Sequence, residues 1–188
     1  MPPGHHSISQ VYHINHVNYH YIPLDQQGID VKALRESQAQ IVHISPAHHF
    51  PTGITMPIQR RLELLQWAEE SHRYIIEDDY DSEFRMRGKP LSPLFQIDQN
   101  EHVIYMNTFS KTLAPSFRIS YMILPPHLVQ IFQQKLGFYT CSVSSFEQII
   151  LAEFIQNHHF EKHINRMRNY YKSIRDEFLL QLSQSPLF

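Results

Sequence analysis

The chain has 188 residues, 42% of them hydrophobic and 12% aromatic, which fits a globular domain with its own core and excludes a disordered chain. The formal net charge of -2 excludes the strongly basic surface of a typical nucleic-acid-binding domain, so any contact with DNA requires a separate segment. The single cysteine, Cys141, excludes an internal disulfide framework and is typical of a reducing compartment.

The amino-terminal segment has neither the cationic flank nor the apolar stretch of a secretory signal. No apolar run approaches the length of a membrane span. We therefore expect a soluble, cytoplasmic protein that does not contact a membrane.

The first part of the chain predicts short elements. A turn at 1–4 precedes a weakly supported helix, because its apolar residues recur every third position and drift around a helix of period 3.6. A short strand is predicted at 19–22, then a turn at 23–28 and a short helix at 31–37. The β-branched run at 40–44 predicts a central strand of a parallel sheet.

The loop at 45–57, SPAHHFPTGITMP, contains three prolines and a glycine and follows that strand. Functional loops occupy such places in open α/β sheets. One interpretation is a proline-ordered turn with His48 and His49 at the surface. The other is a loop whose rings or backbone lie against a flat cofactor. An amphipathic helix is predicted next, at 58–72.

Three further strands are predicted at 74–77, 103–106 and 120–124, separated by polar loops. Alternating strands and helices of this kind predict an α/β fold with a mainly parallel sheet. Beyond residue 126 the pattern becomes helical, with helices predicted at 127–136, 144–158 and 160–182. The last helix is long and carries both signs of charge on its outer face.

Polar groups follow two of the predicted apolar strands. The first strand ends in Glu77, Asp78, Asp79 and Tyr80, and the second is followed by Thr108, Ser110, Lys111 and Arg118. Together they are the chemical groups needed to hold a phosphorylated pyridine aldehyde. A lysine supplies the amine for a Schiff base, a carboxylate keeps the ring nitrogen protonated, and hydroxyls with an arginine bind the phosphate.

Each of these residues also has an ordinary interpretation. Most lysines are solvated surface groups, and Asp78 and Asp79 fit a solvated loop start or a helix cap. The position of Lys111 between an apolar strand and Pro115 predicts a buried side chain. A buried lysine amine loses its proton readily and becomes nucleophilic.

The fourteen histidines raise the question of a metal site. His13, His16 and His20, and separately His159 and His163, have spacings that could place two imidazoles on one helical face. No cysteine and no convincing acidic third ligand accompanies them. We therefore expect exposed or capping histidines and no metal site.

The sequence resembles the aminotransferase-like domain of MocR-type regulators, a branch of the GntR transcription factors built on the scaffold of fold-type I aminotransferases. The resemblance rests on four motifs in order: HISPAHHFPTGITMPIQRR, YIIEDDYDSEFR, VIYMNTFSKTLAPSFRISYMILPP and FEKHINRMRNYY. It implies the three-layer α/β fold of an aminotransferase large domain with a helical C-terminal tail. Residues 1–157 would be part of this pyridoxal-phosphate-binding domain, and 158–188 a long helix leading toward a small domain.

The resemblance also implies roles for individual residues. Lys111 would hold pyridoxal 5'-phosphate as an aldimine. Asp78 would contact the pyridine nitrogen, with Asp79 as the alternative, and Tyr80 would lie near the ring oxygen. The phosphate would be held by Thr108, Ser110 and Arg118.

The sequence departs from the enzymes of this fold at several points. Phe50 stands where they usually have an asparagine, and Ser120 where a glycine is common. We expect three parts to be absent: an amino-terminal winged helix-turn-helix, the glycine-containing phosphate loop, and the small-domain arginine that binds a substrate carboxylate. These departures favour ligand sensing over turnover and leave enzymatic activity an open question.

Three hypotheses for function follow. The first is the effector-sensing domain of a homodimeric regulator that binds DNA only through another domain, with an amine, an amino acid or pyridoxal phosphate itself as the signal. The second is a catalytic aminotransferase of class I/II. The third is a truncated remnant that binds no cofactor.

Overall fold

The computed structural model describes residues 6–84 and 91–184, so the turn predicted at 1–4 lies outside the described residues. The described chain forms two compact units. The first comprises 6–80, 91–108 and 120–138, and the second comprises 81–84, 109–119 and 139–184.

The first unit opens with small elements. These are helix α1 (His6–Ile14), the two-stranded antiparallel hairpin β1 (Leu24–Asp25) and β2 (Gly28–Ile29), and helix α2 (Val31–Glu36). Asp30 begins α2 by accepting hydrogen bonds from the backbone N–H groups of Lys32 and Ala33. The strand predicted at 19–22 is wrong, because in the described chain this segment pairs with no other strand. The rings of Tyr19 and Tyr21 instead contact each other, with centroids 5.8 Å apart.

A four-stranded sheet forms the centre of this unit. Its strands are β3 (Ile41–Ile44), β4 (Tyr74–Asp78), β5 (Val103–Thr108) and β6 (Ser120–Ile123), in that spatial order. The first three are parallel and β6 runs antiparallel to β5. The predicted mainly parallel α/β sheet is thus confirmed. The prediction that β3 is central is wrong for the described strands, because β3 lies at an edge of the sheet and Ile41 is 54% exposed.

The hydrophobic core lies between the sheet and two helices, α3 (Ile58–Glu69) and the short α4 (Leu94–Ile97). The sequence predicted α3 but not α4. Leu64, Trp67, Ile75 and Leu94 have no exposed surface. A side chain of this size contributes about 1.5–3 kcal/mol when fully buried, so these residues fix α3 and α4 on the sheet.

A buried arginine joins the loop at 45–57 to this core. Arg61, on α3, is 1% exposed and donates hydrogen bonds to the backbone carbonyls of Pro46, Met56 and Ser92. Its guanidinium also lies 3.9 Å from the carboxylate of Glu77, which is equally buried. Because Pro46 and Met56 lie at opposite ends of the loop, one side chain holds both ends.

The remaining helices confirm the helical pattern of the C-terminal part. Helix α5 (Pro126–Leu136) belongs to the first unit, and α6 (Ser145–Gln156) and α7 (His159–Ser183) belong to the second. In the second unit, Arg168 of α7 donates to the backbone oxygen of Glu83 at 2.8 Å, beside a single 3₁₀ turn at Ser82–Phe84. Over 6–84 and 91–184, every helix is too short or too polar to cross a membrane.

We predict that Arg61→Ala destabilises the first unit by about 3–5 kcal/mol, because it leaves a buried carboxylate without its cation and the buried carbonyls of Pro46 and Met56 without their donor. Urea unfolding followed by circular dichroism measures the change. The matched control is Arg35→Ala, which removes an exposed ion pair with Glu70 and should change stability much less. Equal unfolding midpoints for the two variants would contradict the assigned role.

Candidate functional site

The three consecutive carboxylates at the end of β4 are separated by the alternation of the strand. Glu77 and Asp79 are 1% and 4% exposed, whereas the side chain of Asp78 is 21% exposed. Successive side chains of a strand point to opposite faces, so Asp78 lies on the face opposite its two neighbours. The carboxylate cluster of the sequence is therefore not one cluster in space.

Glu77 is held within the core. Its two carboxylate oxygens accept hydrogen bonds from the backbone N–H groups of Leu94 and Phe95, both at 2.9 Å. Burial raises the pKa of Glu77, and the nearby charge of Asp79 adds to the rise. These contacts fix the beginning of α4 against β4, so Glu77 has a structural role.

Asp79 is also fixed by buried partners. It accepts a hydrogen bond of 2.7 Å from the phenol of Tyr105, and the amide of Asn107 donates to the same phenol at 3.1 Å. Burial and the hydrogen bond to Asp79 raise the pKa of Tyr105 far above its usual value, which keeps the phenol a donor. Asp79 is thus engaged in the core rather than at the open face of the sheet.

Asp78 faces a different set of groups. Its Oδ2 lies 3.8 Å from Nε2 of His43, which is on the neighbouring strand β3. The other ring nitrogen of His43, Nδ1, lies 2.6 Å from the hydroxyl of Tyr12 on α1. Among the described residues, the buried Nε2 of His43 has no hydrogen-bond partner. Asp78 therefore ends a row of polar groups on one face of the sheet.

Tyr80 follows β4 and ties it to the loop at 45–57. Its hydroxyl donates to the backbone oxygen of His48 at 2.9 Å. The loop is closed internally by hydrogen bonds from Met56 to Pro46 and from His49 to Ile54, each 2.9 Å between nitrogen and oxygen. Phe50, at the position where the enzymes have asparagine, is 51% exposed.

The structure brings three of the predicted site residues to one edge of the sheet. Asp78 pairs in register with Met106, so Thr108 lies two residues further along the adjacent strand. Tyr80 follows Asp78 by two residues at the same end. Asp78, Tyr80 and Thr108 thus all lie at the carboxyl ends of the parallel strands β4 and β5. Ligands bind at this edge in open α/β sheets.

The other three predicted residues lie in the second unit, on the loop between β5 and β6. This loop is closed at its base by a hydrogen bond of 2.9 Å from the N–H of Phe109 to the carbonyl of Ile119. Within it, Arg118 donates to the hydroxyl of Ser110 at 3.4 Å, and that hydroxyl donates to the carbonyl of Phe117 at 2.8 Å. Ser110 and Arg118 therefore lie within hydrogen-bond distance of each other on this loop.

Lys111 lies between these residues in the same loop. Its side chain is exposed, so the prediction that it is buried is wrong. The apolar residues before it belong to β5, which ends at Thr108, and the turn that follows carries Lys111 outward while Thr112 is buried. The described residues therefore do not desolvate the amine of Lys111.

Of the two histidine spacings, that of His159 and His163 places both imidazoles on one face of α7, because the two residues are four apart within this helix. The spacing of His13, His16 and His20 does not produce such a face. Helix α1 ends at Ile14, so His16 and His20 lie beyond it and cannot share a helical face with His13. On α7, Nε2 of His163 lies 2.9 Å from the backbone oxygen of Thr112, and the ring is engaged there. In the described ranges 6–84 and 91–184, no group of three or more potential ligands could hold a metal ion.

Comparison with known proteins defines the family. The model of aminotransferase class I and II matches residues 1–187, and the chain belongs to this family. The crystal structure of kynurenine aminotransferase from Pyrococcus horikoshii has a TM-score of 0.85 and 32% identity, over 96% of this chain and 47% of that one. This match confirms the expected aminotransferase fold, and the family implies pyridoxal phosphate as the cofactor.

Curated relatives confirm the resemblance to MocR-type regulators. The HTH-type transcriptional regulator YdeL of Bacillus subtilis is 46% identical over 173 residues, which cover 92% of this chain and 37% of that protein. The probable rhizopine catabolism regulatory protein MocR of Rhizobium meliloti is 35% identical over 158 residues, 84% of this chain and 32% of that one. The chain thus spans about a third of the length of these regulators.

Sequence reasoning missed two polar residues beside Asp78. The sequence pattern singles out neither Tyr12 nor His43, which stands within an apolar strand. The available signal was the strand register: a histidine in β3 opposite Ile76 of β4 lies diagonally to Asp78 on the same face. The contact with α1 could not be inferred, because strand periodicity does not say which helix covers a face.

We predict that Asp79→Ala lowers the free energy of unfolding by about 1–3 kcal/mol, because it leaves the buried hydroxyl of Tyr105 without its acceptor. Asp78→Ala should have a smaller effect, since Asp78 is partly exposed and lies beyond hydrogen-bond distance from His43. Thermal or urea unfolding of both variants measures the difference. A larger loss for Asp78→Ala would contradict the division of roles between the two aspartates.

Proposed function

We propose that this chain is the pyridoxal-phosphate-binding, effector-sensing domain of a transcriptional regulator. The observation that carries the proposal is the position of Asp78. It is the one carboxylate of the β4 cluster that lies outside the core, at the carboxyl edge of the sheet beside a buried histidine nitrogen. The similarity of the chain to HTH-type regulators supports sensing as the function of the site.

The residues of the chain fit the cofactor chemically. Asp78 offers a carboxylate for a protonated pyridine nitrogen, and Lys111 offers an exposed amine for the aldehyde. Ser110 and Arg118 form a preassembled hydroxyl and guanidinium pair suited to phosphate. Tyr80 and Thr108 lie at the same sheet edge as Asp78 and offer two further hydroxyl groups. When bound, pyridoxal phosphate supplies an aldehyde and an electron-withdrawing ring.

The signal in this proposal is an amine, an amino acid or pyridoxal phosphate itself, since each reacts with or occupies the same polar groups. We further propose that the intact protein is a cytoplasmic homodimer that contacts DNA through another segment of the longer protein. Ligand binding would shift the equilibrium between two arrangements of the protein, as required for a signal to reach DNA.

Catalytic transamination is the second candidate. It is favoured by the similarity to the kynurenine aminotransferase, whose crystal structure contains substrates and products. Phe50 argues against efficient turnover, because a phenyl ring cannot donate a hydrogen bond to a ring oxygen. Its side chain is also half exposed, at the position of the loop where the enzymes use an amide. A remnant without cofactor is the third candidate.

We predict that pyridoxal phosphate added to the protein produces visible absorbance. Borohydride reduction should then attach the cofactor covalently to the peptide containing Lys111, where mass spectrometry detects the added mass. Lys111→Ala should abolish both signals because it removes the reacting amine. Lys135→Ala, which removes a lysine from the end of α5, is the matched control and should retain both. A wild-type protein that remains colourless and unlabelled would leave the remnant as the correct hypothesis.

Regulation and catalysis are separated by assays on the full-length protein. We expect an amine or amino acid to change the affinity of the full-length protein for DNA, while transfer of an amino group to a keto acid stays near the rate of free pyridoxal phosphate. Restoring the enzyme residue with Phe50→Asn should raise transfer if the missing amide limits turnover. Rapid multiple turnover by the wild type would favour the enzyme.

A further inference from the structure

We propose that the hydroxyl of Tyr12 fixes the tautomer of His43 so that its Nε2–H points at Asp78, which makes Tyr12 and His43 positioning residues for the carboxylate that meets the cofactor. This inference rests on the proposed role of Asp78. It assigns a function to two residues that lie outside the polar set described above.

The three groups are arranged in a row. The Tyr12 hydroxyl and His43 Nδ1 are 2.6 Å apart, a short hydrogen bond, and His43 Nε2 lies 3.8 Å from Oδ2 of Asp78. The side chains of His43 and Asp78 are 18% and 21% exposed, so water screens their interaction only partly. Strand register keeps the histidine and the aspartate on one face, because His43 is opposite Ile76 and Asp78 is two residues beyond it.

The chemistry of imidazole selects the direction of the hydrogen bond. A neutral ring that accepts a hydrogen bond at Nδ1 carries its own proton on Nε2. In that tautomer the positive end of the Nε2–H dipole faces the carboxylate. The opposite tautomer would present a lone pair to the negative charge of Asp78, which is unfavourable.

Tyr12 is suited to remain the donor. Burial raises its pKa, and the charge of Asp78 raises it further, so the phenol keeps its proton. The phenol O–H then holds the ring, and the ring presents its Nε2–H to the carboxylate of Asp78. A charged Asp78 is the form that stabilises a protonated pyridine nitrogen.

The first test does not involve the cofactor. We propose recording long-range ¹H–¹⁵N spectra of the ¹⁵N-labelled, cofactor-free protein, with the His43 ring assigned through its backbone resonances. The inference predicts a neutral ring protonated on Nε2 at neutral pH. It also predicts that Tyr12→Phe removes this preference, while Tyr21→Phe, which changes an exposed tyrosine on the following segment, does not.

The second test measures pyridoxal phosphate binding. Loss of one hydrogen bond worth about 1 kcal/mol should weaken binding in Tyr12→Phe by roughly fivefold, with Tyr21→Phe unchanged. A His43 ring protonated on Nδ1, or on both nitrogens, in the wild type would overturn the inference. So would identical spectra and affinities in Tyr12→Phe and the wild type.

The two proposals fail in different ways. Absence of any pyridoxal phosphate binding would refute the proposed function, while the spectra of the cofactor-free protein would still decide the tautomer. Binding that is insensitive to Tyr12→Phe would refute the positioning role and leave the cofactor site intact. If Tyr12→Phe fails to fold, the wild-type spectrum alone tests the assigned tautomer.

Discussion

The alternation of side chains along β4 is the constraint on which the candidate site depends. A parallel sheet buried on one face commits every second residue of this strand to the core, and Ile75 and Glu77 lie there, followed just beyond the strand by Asp79. A shift of one residue would exchange the faces and bury Asp78 instead. The core residues of β4 therefore determine which aspartate is available at the sheet edge.

Two buried polar contacts keep that register and the neighbouring loop in place. Glu77 accepts hydrogen bonds from two backbone N–H groups of α4, and Arg61 donates hydrogen bonds to carbonyls at both ends of the loop at 45–57. Groups of this kind are costly to bury unless every hydrogen bond is made, so they specify one arrangement more strongly than apolar contacts would. The loop that contacts Tyr80 is thus positioned from inside the core rather than by its own sequence alone.

Much of the fold could be predicted because periodicity is local information. The strands at β4, β5 and β6 and the helices α3, α5, α6 and α7 follow from alternation, amphipathic spacing and proline boundaries. Partner-dependent features could not be predicted. The segment at 19–22 has strand-forming tyrosines but no strand to pair with, and β3 has a buried-strand composition although it lies at an edge of the described sheet. The exposure of Lys111 depends on a turn whose direction its apolar neighbours do not determine.

We propose that Asp78, and not Asp79, contacts the pyridine nitrogen of the cofactor. The most direct measurement is the ¹⁵N chemical shift of pyridoxal phosphate labelled at that nitrogen and bound to the wild type, Asp78→Ala and Asp79→Asn. We expect a protonated nitrogen in the wild type and in Asp79→Asn, and an unprotonated one in Asp78→Ala. Loss of the proton in Asp79→Asn with its retention in Asp78→Ala would show that Asp79 is the partner of the nitrogen.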